Sequence, residues 1–328
     1  METFVDRLVD ETLKKKSILC FGIDPQLRYI PTEILQQGHQ ESEQSILETE
    51  SKFEAAARAI VIYFEKIIPK VAPFAVVAKP QGAFYGPPYG QWGSWALKRI
   101  VEICRKNDLL ALLDHKCSDG GDTAEAYANG YLGEVDCWSP FQKTLFKEPS
   151  FGFDAITVMP SIGESCLASF IKLAKEKGKG IFVVTKTSFK PNSAIEQLET
   201  KSGRKVWEET AILVREWSKG CEGENGINNV GVVAGATFPE DSDRMRELIP
   251  NCFQLKPGFG AQGAGPDEAV RGGPLIIVNS SRDIDYPQNK LPELDSTPEK
   301  IPEAAAQVAM RSRDLLNEAM KRTGKTLW

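Results

Sequence analysis

Eight short apolar runs recur along the chain, each rich in β-branched residues, each ending at turn chemistry, and each followed by a stretch with helical spacing. The runs are Ser17–Ile23, Phe74–Ala78, Leu109–Leu113, Ala155–Met159, Gly180–Thr185, Val230–Gly235, Cys252–Leu255 and Leu275–Asn279. Helical periodicity fills 44–69, 93–107, 123–132, 163–177, 203–219, 239–249, a short 265–271, and 299–322. Continuous runs such as GIFVV and LIIV suit strands buried on both faces. Eight βα units in succession predict an α/β protein, a closed (β/α)8 TIM barrel rather than an open doubly wound sheet. At 328 residues, with no shift in composition, the chain reads as one barrel domain over 1–328 with an amphipathic N-terminal helical segment. The stretches 25–43, 134–153, 189–202 and 283–298 exceed minimal connections and read as loop insertions.

The bulk properties exclude several function classes. A formal net charge of -5 offers no basic field for nucleic acid, and no run approaches the length of a membrane span. Seven cysteines without a CxxC pair argue against a disulfide framework and for a reducing, cytoplasmic setting.

In such a barrel the strand exits converge on one mouth, and here the exits are unusually polar. The first run ends at Asp24, the second at Lys79, and the third at Asp114 and Lys116; the fifth runs into Lys186, Thr187 and Ser188, and the sixth into Thr237. The last two run into PGFGAQGAG and SSRD. Alternation along an extended strand puts Asp114 and Lys116 on one side and His115 on the other. With Lys79 from the neighbouring strand, this predicts an alternating array of ammonium and carboxylate groups that keep one another ionised. Glycines in PGFGAQG allow close backbone approach to an anion, and Arg282 follows on the next strand. Gln262, nearby amides and Arg282 are therefore the expected grip on the phosphate of a small molecule.

These residues resemble orotidine 5'-monophosphate decarboxylases of the longer bacterial type. The family pattern D-x-K-x-x-D-x-x-x-T is met by Asp114, Lys116, Asp119 and Thr123, with Lys79 in AKPQGAFYG before it. FGID, AYANGYLGEV, ITVMPSIG, TKTS, VVAGAT, PGFGAQG and NSSR follow the family's order over nearly the whole chain. The resemblance implies conversion of orotidine 5'-monophosphate to uridine 5'-monophosphate without cofactor or metal. It implies Lys116 as proton donor, Asp114 beside the substrate carboxylate and Lys79 completing the charge network. It further implies Asp24 at the ribose hydroxyls, Ser188 at the pyrimidine, and Gln262 and Arg282 at the phosphate. Asp119 and Thr123 would reach the partner subunit's site in a homodimer.

The chain also departs from the pattern. DHKCSDGGDT stands where DAKRGDIGST is usual, so His115, Cys117 and Gly120 replace a small residue, an arginine and a bulky aliphatic. His115 reads as a packing histidine and Cys117 as a small buried or interface side chain. Three alternatives follow from the same residues: a metal-dependent sugar-phosphate aldolase or synthase barrel, a lysine Schiff-base aldolase, and an inactive phosphonucleotide-binding barrel.

Overall fold

The computed structural model describes residues 2–42, 48–189, 194–260, 262–289 and 297–328. Eight parallel strands close into a barrel: β1 (Leu19–Ile23), β2 (Val77–Pro80), β3 (Leu110–Cys117), β6 (Ala155–Val158), β7 (Gly180–Lys186), β8 (Asn228–Ala234), β9 (Cys252–Lys256) and β10 (Ile276–Ser280). Neighbours run in the order β1-β10-β9-β8-β7-β6-β3-β2. All eight expected strands are present. Every residue of β1, β2, β6, β7 and β9 is buried, as the unbroken apolar runs require for strands covered on both faces.

Helices follow the strands: α3 (Glu48–Val71), α4 (Gly86–Lys106), α5 (Gly121–Tyr131), α6 (Ala168–Lys177), α7 (Val206–Trp217), α8 (Pro239–Leu248), α9 (Pro266–Ala269), α10 (Arg282–Asp285) and α11 (Ile301–Arg322). Ahead of the barrel lies α1 (Phe4–Lys15). Starts are legible in the chain. Pro239 opens α8 with Glu240 and Asp241 in its first turn, and the Glu208 carboxylate accepts the Lys205 N–H at the start of α7. Among the described residues no helix is long and apolar enough to cross a membrane. All seven cysteines are free.

Two insertions are more structured than expected. The 25–43 stretch carries α2 (Thr32–Ser42), which buries Ile34, Gly38 and Ser42 at helical spacing. A Cβ on Gly38 would strike the Ala55 carbonyl and Ala59, so glycine here lets α2 lie directly on α3. The 134–153 stretch is an antiparallel hairpin of β4 (Glu134–Ser139) and β5 (Thr144–Pro149), with Asp136 paired to Lys147 at 3.0 Å and Trp138 opposite Leu145. Residues 43–47, at the start of the expected 44–69 helix, and parts of the 189–202 and 283–298 stretches (190–193 and 290–296) lie outside the described residues.

Contacts group the chain into two compact units, Met1–Asp10 with His115–Val278 and Glu11–Asp114 with Asn279–Trp328. In the first, Arg246 on α8 donates to the carbonyls of Gly272, Pro250, Cys252 and Leu275. That arginine ties together the entries of β9 and β10, a structural use of charge at the strand ends away from the exits.

Candidate active site

In the unit formed by Glu11–Asp114 and Asn279–Trp328, β1, β2 and β3 carry their charges to consecutive exits. β2 pairs with β1 through Lys79↔Gly22 and with β3 through Ala78↔Ala111. Lys79 is 4% exposed, and its Nζ lies 3.1 Å from Asp114 Oδ2. Burial works against the ammonium, but the carboxylates of Asp114 and then Asp24 outweigh it and hold the Lys79 pKa above its ordinary value. The expected pairing of Lys79 with Asp114 is therefore present. Cys20, on β1, is pushed up to about 12, by burial first. Burial thus keeps it in the protonated thiol form.

Asp24 leaves β1 half-buried, and Arg282 opens α10 with an exposed side chain. Sequence reasoning missed what lies behind them. Asp285 has no exposed surface; its Oδ2 accepts the Asp24 N–H at 3.1 Å, and its Oδ1 has no hydrogen-bond partner among the described residues. Burial first, and then the charge of Asp24, drive the Asp285 carboxyl well above the usual carboxylate range, against the opposing Asp24 N–H and Lys79.

The unit formed by Met1–Asp10 and His115–Val278 carries the rest. The N–H groups of His115 and Lys116 both donate to Thr157 Oγ1, each at 3.0 Å, so β6 pins the end of β3. His115 packs on α5, with its ring 4.9 Å from that of Tyr131 and Nε2 3.3 Å from the Tyr131 hydroxyl. It is a packing histidine, as expected. Cys117 is buried, and burial pushes its thiol up to about 12. Lys116 is exposed and has a φ of 55°, a left-handed backbone uncommon for a side chain of this size. Simple alternation therefore does not set its direction. Asp119 and Thr123 are exposed at the entry to α5, where Asp119 Oδ1 accepts the Gly120 N–H at 2.8 Å. Ile162 and Ser165 stand where a Cβ on Gly120 would meet them, at 3.4 and 3.3 Å, so neighbouring side chains line the space left by the missing aliphatic.

At the end of β7, the three polar residues Lys186, Thr187 and Ser188 part company. Lys186 is 1% exposed, pairs with Glu196 at 3.1 Å and sits 3.9 Å from the centroid of the Phe238 ring. The same carboxylate accepts the Thr187 N–H. Lys186 thus belongs to the wall, and Ser188, its carbonyl accepting from Thr237 Oγ1 at 2.9 Å, is the residue the turn sets apart. Gly258 (φ 112°) brings the glycine turn onto it: a Cβ there would lie 3.3 Å from both Ser188 Cβ and Gln262 Oε1. Only glycine allows that approach. Gly260, Gly263 and Ala264 donate to carbonyls of the turn itself, so these three N–H groups close the loop on itself instead of facing an anion.

Residues 17–284 match the Orotidine 5'-phosphate decarboxylase / HUMPS family. The chain belongs to this family. Among relatives of this decarboxylase / HUMPS chain, the orotidine 5'-phosphate decarboxylase of Caldicellulosiruptor bescii is 35% identical over 290 residues, covering 87% of this chain and 90% of that protein. That of Caldicellulosiruptor saccharolyticus is 34% identical with the same coverage. The structure of Leishmania donovani OMP decarboxylase matches with a TM-score of 0.65 at 23% identity, covering 95% of this chain and 99% of that one, a likeness of fold. For a member of the Orotidine 5'-phosphate decarboxylase / HUMPS family, the residues missed by sequence reasoning are Asp285 and Glu196. The signal of Asp285 is its burial, which a charged tetrapeptide such as RDID does not reveal by itself, and that of Glu196 is its ion pair with the buried Lys186.

Proposed function

We propose that this chain decarboxylates orotidine 5'-monophosphate to uridine 5'-monophosphate and carbon dioxide, with no cofactor, in the cytoplasm. Family membership supports the reaction, and the observation that carries the residue assignment is the ion pair of the buried Lys79 with Asp114, with Lys116 two residues further along β3.

Breaking the C6–carboxylate bond leaves the electron pair on a ring carbon without an extended sink, so stabilisation has to come from fixed charge. The Lys116 ammonium serves this role: it faces the developing carbanion and then delivers its proton to C6. Asp114 stands beside the substrate carboxylate, and Lys79 keeps Asp114 ionised and oriented. Asp24 receives the ribose hydroxyls, Ser188 the pyrimidine, and Gln262 and Arg282 the phosphate. Guanidinium recognises phosphate at two points, and that remote binding energy supports closure over the base. Asp119 and Thr123 act in the partner subunit of a homodimer, consistent with their exposure at the start of α5.

Adding purified chain to orotidine 5'-monophosphate and following its absorbance tests the proposal. Loss of absorbance with formation of uridine 5'-monophosphate, undiminished by a chelator, is expected. Loss of activity on chelation would favour the metal-dependent synthase chemistry. Nucleotide binding without turnover would favour an inactive barrel.

A further inference from the structure

We infer that Asp285 and Tyr286 are positioning residues that clamp the backbone of Asp24 from both sides, and that α10 thereby sets the ribose contact and the phosphate contact as one rigid element. The inference rests on the proposed nucleotide site and deepens it.

Asp24 is the first residue beyond β1, where the ladder with β2 has ended at Ile23↔Pro80. Its peptide groups therefore need other partners. Asp285 Oδ2 accepts the Asp24 N–H at 3.1 Å. On the other side, the Tyr286 hydroxyl donates to the Asp24 carbonyl at 3.2 Å and accepts the Gln26 N–H at 2.6 Å. Both groups on the main chain of Asp24 are thus held by two consecutive residues. Neither clamp residue is exposed.

The clamp is itself anchored. Tyr63 on α3 donates to the Asp285 carbonyl at 2.6 Å, its ring stacked 6.1 Å from that of Tyr286, and the Tyr29 ring lies 4.9 Å from Tyr286. Three backbone hydrogen bonds hold α10 to its start: Ile284 and Asp285 donate to the Ser281 carbonyl, and Tyr286 to that of Arg282. Arg282 and Asp285 are the two ends of this single helical turn. A shift of the phosphate-contacting end is passed to Asp24 through hydrogen bonds rather than through flexible chain.

The charge state of Asp285 fits a holding role. Among the described residues, the titratable groups around it are Asp24 from the β1 exit, Lys79 from β2, Tyr63 from α3, Tyr85 ahead of α4, and Tyr286 beside it. Only Lys79 is cationic, and it is already paired with Asp114. A neutral carboxyl can still accept the Asp24 N–H, which is all the clamp asks of it.

The test compares kcat/KM for orotidine 5'-monophosphate and the Kd for uridine 5'-monophosphate in wild type, Tyr286→Phe, Asp285→Asn, Asp285→Leu, Asp24→Ala and the Asp24→Ala/Tyr286→Phe double variant, each with its thermal unfolding curve. Tyr286→Phe should weaken both quantities about tenfold, the scale of one lost hydrogen bond. Asp285→Leu should lose at least as much, whereas Asp285→Asn, whose amide oxygen accepts the same N–H, should stay near wild type. In the Asp24→Ala background Tyr286→Phe should add nothing, since the clamp acts through the Asp24 side chain it orients. Full additivity there, or wild-type values in Tyr286→Phe, overturns the inference. Should Asp285→Leu fail to fold, the Tyr286 cycle decides alone. A wild type that binds uridine 5'-monophosphate without turnover contradicts the decarboxylase reading but leaves the binding cycle to decide the clamp; a wild type that neither binds nor turns over contradicts both.

Discussion

Lys79 and Lys116 are both lysines at the exit of a barrel strand, yet the protein treats them in opposite ways. Lys79 is withdrawn from water and locked on Asp114 at 3.1 Å in regular strand geometry. Lys116 is exposed, on a left-handed backbone held by Thr157. A group meant to maintain a field gains from immobility, because a preorganised charge needs no reorganisation during reaction. A group meant to hand over a proton must be reachable by the atom that receives it. On the proposed mechanism the two environments divide these tasks between chemically identical side chains, with the left-handed backbone at the proposed donor.

The comparison can be broken first at its buried half. Asp114→Ala strips the Lys79 ammonium of its nearest carboxylate while leaving it inside the protein. That should cost about 3 kcal/mol of stability, read from chemical denaturation, and roughly a thousandfold in kcat. A variant with wild-type stability and rate would remove the field-setting role of the pair. The exposed half is sharpened by subunit mixing. Inactive Lys116→Ala and Asp119→Ala chains, allowed to exchange, should recover about a quarter of wild-type activity, since half the dimers are hybrids with one intact site each. Exchange without recovery would count against a shared site.

The smallest effect concerns the other buried acid. Because the folded-state pKa of Asp285 lies above its unfolded value, the native state binds more protons than the unfolded state across that interval. Stability therefore falls as pH rises from the unfolded value near ~4 toward the folded one. Asp285→Asn lacks this titration, so its melting temperature should exceed that of wild type at pH 7, with the difference shrinking toward pH 4. A difference independent of pH would mean that Asp285 titrates normally.

The strands were legible because unbroken β-branched runs have no other use in a chain of this length. Their exits were less so: β3 and β7 continue through the charged residues to Cys117 and Lys186, past the apolar runs. Helix α2 carries little hydrophobic signal because, besides Ile34, its buried face is made of Gly38 and Ser42, small residues that allow the closest packing. The β4–β5 hairpin hid behind its charges: Glu134 and Asp136 alternate with Val135 and Cys137 on β4, while Lys147 and Glu148 follow Phe146 on β5. Within the site, the Lys79–Asp114 pair could be foreseen from strand adjacency. Lys186 could not be told from a mouth residue, because its partner Glu196 lies ten residues on in a polar stretch. Asp285 was hidden for a deeper reason: its burial is created by α3, α10 and the β1 exit together, long-range packing that no local pattern encodes.

The central claim is most directly tested by measuring kcat for orotidine 5'-monophosphate in Lys116→Ala, with the affinity for uridine 5'-monophosphate determined on the same preparation. The proton-donor assignment predicts turnover reduced by about four orders of magnitude, at the upper end for general acid catalysis, with product affinity still measurable. Wild-type turnover in Lys116→Ala would contradict it.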